Sequence, residues 1–305
     1  MLKLECRLFK IGKKIERNYC EDALDINLEQ NRFAVADGVS NSFRPEIVSQ
    51  LLVENFVNAE LPVLDWQKAL YTTEGKELEH KWQEGVNKFL NGFSGIEREI
   101  QELRMQNQGA GASTFCGIIL NPENNTLDYA VLGDSCLFIL PNEGKSNVVT
   151  SCELQEDENG WTIDFTSTTD CIQVGNYELE SQENWRIGSV TVSDGYIALM
   201  TDGASRWFQA EFKSQNYNVT EWLWDMLAKT QEFTEYIHNS RLNETPLSDD
   251  VAILLVKLSQ SEESKEHEPD MSIYTNEEKK PDDNDSKTIV NKIGRFISKL
   301  FKHGT

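Results

Sequence analysis

The sequence predicts an α+β fold in which antiparallel strands carry helices packed on them. Three observations lead there. Apolar runs of strand length alternate with segments whose apolar residues recur at helical spacing. Neighbouring strand runs are joined by tight polar turns, as at NPENN before Thr126. Several of the runs stop or start at an aspartate, a residue for which a buried strand has no structural use.

Leu2, Leu4, Cys6 and Leu8 alternate with charged residues, a half-buried first strand rather than the basic and apolar blocks of a leader peptide. Gly12-Lys13-Lys14 reads as a turn. Ile26 and Leu28 continue an alternation that places Glu21 and Asp22 at the start of a second strand. A third strand, Phe33–Ala36 within RFAVADGVS, stops at Asp37-Gly38. A hairpin of these two strands would bring Glu21, Asp22 and Asp37 within reach of one metal centre. From Pro45 the period changes, with Ile47, Val48, Leu51, Leu52 and Phe56 at helical spacing behind a proline suited to a first turn. Further helices are expected from about Gly75 to Leu90 and from Gly95 to Gln106, closed by NQGAGAS. STFCGIIL and LDYAVLGDSCLFIL then form a hairpin signal, interrupted at Gly133-Asp134-Ser135. Residues 142–188 read as short strands and loops bordering the site. SVTVSDGYIALMTDG reads as two strands about a hairpin turn at Asp194-Gly195, the second ending at Asp202. Helical spacing returns from Thr220 to Ile237, and Asp249-Asp250 precede a last strand, Val251–Leu258.

Any one Asp-Gly pair most often marks a turn, because glycine accepts positive φ and aspartate caps local backbone groups. The joint pattern says more. If the strands lie side by side, the carboxylates of Asp37, Asp134, Asp202 and Asp249 gather in one place. Clustered carboxylates repel and are costly to desolvate unless a cation neutralises them, which predicts a site for hard, oxygen-loving metal ions.

The 305 residues, 39% of them hydrophobic, can bury a substantial core. A formal charge of −22 argues against a general affinity for nucleic acid or anionic lipid, both of which reward Lys and Arg clusters. Six cysteines without CxxC spacing read as reduced thiols rather than zinc ligands. No apolar run approaches the roughly 20 residues of a spanning helix, so a cytoplasmic protein is expected.

Six segments, in order, resemble the metal-dependent protein phosphatases of type 2C in their bacterial style. They are RNYCED (Arg17–Asp22), FAVADG (Phe33–Gly38), GAST (Gly111–Thr114), LGDS (Leu132–Ser135), ALMTDG (Ala198–Gly203) and SDDVAILLV (Ser248–Val256). The resemblance implies a four-layer αββα sandwich of two antiparallel sheets flanked by helices, with two Mg²⁺ or Mn²⁺ ions at one edge. It implies that Asp37 bridges both ions, that Glu21 and the Gly38 carbonyl hold one, and that Asp202 and Asp249 hold the other. Asp22 would orient bound water, Asp134 would help hold a third, weaker ion, and Arg17 would grip the phosphate. The implied reaction is hydrolysis of phosphoserine or phosphothreonine on a protein by hydroxide between the two ions, with a kinase as the natural counterpart. The chain departs from the pattern in three places. Val39 follows Asp37-Gly38 where many eukaryotic members carry histidine, Ser40-Asn41-Ser42 replaces a glycine pair, and Asp249-Asp250 stands where Asp-Asn is more usual.

The expected organisation is a phosphatase-like domain over 1–258, an acidic linker of disordered composition over 259–287, and a basic amphipathic helix over 288–305. In that last stretch Ile289, Ile293, Phe296, Ile297 and Leu300 share a face, and Lys292, Arg295, Lys299 and Lys302 supply charge. It could dock on an anionic membrane surface as a peripheral anchor, in a partner's groove, or on its own acidic domain. Two functions of different class compete: a working serine/threonine phosphatase, and a pseudophosphatase using the same fold as a regulatory binding module. Retention of Arg17, Glu21, Asp37, Asp202 and Asp249 favours the first. A two-metal phosphoesterase acting on nucleic acid suits the carboxylates but not the acidic surface.

Overall fold

The first strand, β1 (Leu2–Ile11), is followed by β2 (Ala23–Asn27) and β3 (Arg32–Ala36), then by α1 (Pro45–Asn58), α2 (Val63–Leu70), α3 (Thr73–Leu90) and α4 (Gly95–Gln108). Next come β4 (Ala112–Ser113), β5 (Phe115–Asn121), β6 (Thr126–Leu132), β7 (Cys136–Pro141), β8 (Asn147–Val149), β9 (Glu153–Asp157), β10 (Gly160–Asp164), β11 (Ile172–Gln173), β12 (Arg186–Thr191) and β13 (Gly195–Met200). The chain continues through α5 (Asp202–Ser214), α6 (Val219–Leu227) and α7 (Thr230–Arg241) to β14 (Val251–Gln260). This computed structural model describes residues 2–13, 19–157, 160–165, 169–176, 183–214, 218–242, 247 and 249–260. Arg17 and the whole of 261–305, with the basic amphipathic segment, lie outside the described residues.

Two five-stranded antiparallel sheets form, in the orders β1-β14-β13-β7-β8 and β12-β6-β5-β3-β2. Phe33, Val35, Ile118, Leu127 and Val131 from the second sheet meet Leu137, Ile197, Leu199, Leu254 and Val256 from the first in one buried cluster. The opposite faces are covered in turn. Val48, Leu52, Phe56, Trp66, Trp82 and Val86 of the first three helices pack on Ala34, Phe115 and Ala130. Trp207, Phe208, Leu223, Leu227, Phe233 and Ile237 of the last three pack on Phe138, Ala198, Ile253 and Leu255. The layer order is therefore helix, sheet, sheet, helix: the four-layer αββα sandwich. Burial on both faces explains why β14 reads as an unbroken apolar run, since Ile253 and Leu255 face the helices and Leu254 and Val256 face the other sheet.

Four local expectations change. The short α2 has no counterpart in the sequence reading, although Val63, Trp66, Gln67 and Leu70 are its buried face at helical spacing. Helix α5 begins at Asp202 itself, where the sequence suggests only a strand end. The single helix expected over 220–237 is two, α6 and α7, divided at Ala228 and Lys229. Asp194-Gly195 is no hairpin turn, because β12 pairs with β6 in one sheet while β13 pairs with β7 and β14 in the other. That connection carries the chain between layers, as does Gly133-Asp134-Ser135 between β6 and β7. The β5–β6 hairpin forms as expected.

Phe33 has no exposed surface and sits between the sheets. Replacing it with alanine should cost about 3–5 kcal/mol of stability, read as a lowered denaturant midpoint in urea. A loss below ~1 kcal/mol would contradict a tightly packed inter-sheet core.

Candidate metal centre

Antiparallel pairing brings the acidic residues to one edge. Ala23 pairs with Ala36, so Asp22 and Asp37 lie side by side at the open end of the β2–β3 hairpin. Phe115 pairs with Leu132, which sets Asp134 at the same end of that sheet. In the other sheet Met200 pairs with both Cys136 and Ile253, so Asp202 and Asp250 emerge where β7 begins. The loops are pinned by backbone hydrogen bonds. Gly38 N donates to the Glu21 carbonyl at 3.1 Å, and the Asp37 carbonyl accepts from Thr114 N at 2.8 Å and from the Ser113 hydroxyl at 2.8 Å. A Cβ at Gly38 would lie 2.7 Å from the Glu21 carbonyl oxygen and 2.9 Å from Pro45 Cβ, so the loop approaches both this closely only because the residue is glycine.

Thr201 joins the two sheets across this edge. Its hydroxyl donates to Asp22 Oδ2 at 2.6 Å and accepts from Ala252 N at 3.0 Å. Arg241 clamps the neighbouring loops, donating to the carbonyls of Leu247, Gly12 and Asp249 at 2.8, 2.8 and 2.7 Å. Asp250 accepts from Glu21 N at 2.6 Å and from Lys13 N at 2.5 Å, so the second aspartate of the pair ties two loops together.

The electrostatics are those of charges crowded out of water. Burial pushes the carboxyl of Asp22 well above the usual range, partly offset by the Thr201 hydrogen bond. Burial does the same to Asp37, reinforced by the charges of Asp22, Asp202 and Asp134. The Asp37 side chain is within hydrogen-bonding reach of those of Asp22 and Asp202. Asp202 is also raised by burial, against the pull of Arg206, whose guanidinium lies 2.9 Å from Asp202 Oδ2. Asp134 is pushed up to about 6, by burial and then by Asp202. Thr169 donates to Asp134 Oδ2 at 2.9 Å, whereas the buried Oδ1 has no hydrogen-bond partner.

Asp22, Asp37, Asp134 and Asp202 are thus brought together in the interior of the edge. Beside them the buried Glu21 and the half-exposed Asp249 are both turned to the ammonium of Lys13, at 3.1 and 3.0 Å. Arg17 falls outside the described residues. Among the described residues, no three His, Cys, Asp or Glu side chains converge on a single metal position. Three of these carboxylates are instead engaged by cations of the chain, Glu21 and Asp249 by Lys13 and Asp202 by Arg206. The donor set still fits hard divalent cations: it is all oxygen, its interior members repel one another, and Asp134 Oδ1 lacks a partner. Sequence reading missed Lys13, Thr201, Arg206, Thr169 and Arg241. Thr201 sits next to Asp202 and could have been suspected; nothing local pairs residue 13 with residue 249.

Asp134 takes up a proton in the folded chain at a pH where the unfolded chain has lost it. Its ionisation therefore opposes folding as pH rises from about 4, the ordinary aspartate value, to about 6. In chelator, the stability of the wild type relative to Asp134→Asn should fall across that window, followed by thermal denaturation. A gap independent of pH would contradict the assignment.

A family model described as protein phosphatase 2C matches residues 14–245. Among solved structures, the serine/threonine phosphatase of S. agalactiae is 15% identical, with 84% of this chain and 100% of that chain covered at a TM-score of 0.51. A bacterial serine phosphatase is 14% identical, with 85% and 99% covered at 0.51. At these identities the likeness bears on the fold. No curated protein matches.

Proposed function

This chain belongs to the protein phosphatase 2C family, and on that premise we propose that it hydrolyses phosphoserine and phosphothreonine on proteins with the help of divalent cations, Mn²⁺ or Mg²⁺. The observation that carries the reading is Asp37, set into the sandwich edge with the charges of Asp22, Asp202 and Asp134 upon it. Uncompensated, such a cluster costs free energy, and a fold keeps it where a cation offsets that cost.

In this reading Asp37 would contribute to holding two cations, with Glu21 and the Gly38 carbonyl serving one and Asp202 and Asp249 the other. Asp134, with an unpartnered oxygen, would help hold a third, weaker ion. When bound, such ions supply Lewis acidity toward the phosphoryl oxygens and make hydroxide available near neutral pH. The chain's own groups do the rest. Asp22, held by the Thr201 hydroxyl, has its carboxylate fixed to orient water rather than free to swing. Arg206 partly neutralises Asp202 and keeps its orientation. Arg17 would offer two parallel N–H donors to the phosphate, which a lysine does not reproduce. A phosphoprotein substrate rather than nucleic acid agrees with the net charge of −22. A kinase that makes the substrate follows as its counterpart.

The test is hydrolysis of a phosphothreonine peptide and an aryl phosphate with added Mn²⁺. Asp37→Asn and Asp202→Asn should each lower turnover by about 100-fold or more, and chelator should abolish it. Full turnover in both variants would overturn the assignment of these residues. An inert wild type that still binds phosphoprotein would favour the regulatory module.

A further inference from the structure

Lys13 bridges the two loops that bring Glu21 and Asp249 to the edge. Its ammonium lies 3.1 Å from Glu21 Oε2, 3.0 Å from Asp249 Oδ1 and 3.2 Å from the Ser40 hydroxyl oxygen. The Ser40 hydroxyl in turn donates to the same Glu21 oxygen. The base of the lysine is anchored as well: its amide donates to Asp250 at 2.5 Å, and the preceding carbonyl, of Gly12, accepts from Arg241. Glu21 belongs to the loop entering β2 and Asp249 to the loop entering β14, so one ammonium joins carboxylates of different sheets.

An exposed lysine–carboxylate pair is worth little. This arrangement differs from one in three ways. One cation serves two carboxylates, the peptide group that precedes it is held at both its N–H and its carbonyl, and the side chain of Glu21 is only 11% exposed. An ammonium has donors and no lone pair, so it occupies the position of a cation and cannot become a ligand to one. A dication held at either Glu21 or Asp249 would meet its repulsion at short range.

We propose that Lys13 is an internal counter-ion that competes with divalent cations for Glu21 and Asp249, so that loading the site requires its ammonium to swing out. Lys13 then raises the cation concentration at which the site fills, while holding the two sheets together at this edge before it does. The inference rests on the reading of the edge as a metal centre. It also accounts for Ser40, which stands where the resembling family carries glycine, because its hydroxyl holds both partners of the latch.

The experiment is calorimetric titration of Mn²⁺ into the full chain after chelator treatment, for the wild type, Lys13→Met and Asp37→Asn. It is paired with melting temperatures in chelator and at saturating Mn²⁺. Lys13→Met should bind Mn²⁺ about tenfold more tightly than the wild type, near 1.4 kcal/mol. It should melt below the wild type in chelator and level with it or above it in Mn²⁺. A lysine that only braces the fold would lower melting in both conditions and leave affinity unchanged or weaker, and that result would overturn the proposal. Should Lys13→Met prove unfolded in chelator, Ser40→Ala, which removes the hydroxyl shared by the ammonium and Glu21 but no charge, should show a smaller tightening; no tightening overturns the proposal equally. Binding by the wild type and its loss in Asp37→Asn would leave the metal-centre reading standing when the Lys13 inference fails. No binding by any of the proteins would overturn both.

Discussion

Mutual repulsion among carboxylates at one edge of the sandwich is the constraint on which the rest of the structure bears. Asp22, Asp37, Asp134 and Asp202 come from both sheets and from the connections between them, and none would remain in such company unless the surrounding scaffold held it there. That scaffold is visible on every side. Antiparallel pairing sets Asp22 beside Asp37, the Thr201 hydroxyl spans the gap between sheets, and Arg241 and Asp250 pin the outer loops through main-chain atoms.

The three packed layers of apolar residues allow that edge to exist. Each sheet buries both of its faces, one against the other sheet and one against helices, so the strand positions are over-determined by packing. A frame this well filled can tolerate electrostatic strain at its margin. The chain passes between sheets at Gly133-Asp134-Ser135 on the acidic edge, and the positive φ of 86° at Gly133 lets a sharp crossing occur where a carboxylate is presented. Position and chemistry thus come from the same turn.

Positive charge is distributed unevenly around the cluster. Arg206 lies i+4 from Asp202 on the first turns of α5, a contact within one helix. Lys13 reaches across the fold to carboxylates on two loops. The first kind of neutralisation is local and follows from helix geometry. The second requires the N-terminal strand, the β2–β3 hairpin and the last strand to be assembled together, and so links closure of this edge to folding of the whole sandwich.

Much of this was legible in the residues. The period-2 and period-3.6 patterns located most strands and helices, and aspartates abutting apolar runs marked the edge because a buried strand has no other use for them. Short helix α2 escaped because eight residues carry too little periodicity, and the start of α5 at Asp202 was masked by a dipeptide that also spells a turn. Which strands share a sheet was misjudged at Asp194-Gly195, since adjacency in sequence does not distinguish a hairpin from a step between layers. The sequence by itself determined the residue types at the edge and the apolar faces that bury the strands, because both depend on local pattern and side-chain chemistry. Only tertiary structure decided that Thr201 would serve Asp22 and that Lys13 would stand between Glu21 and Asp249, because those contacts join positions far apart in the chain, and only packing of the sheets sets their separation.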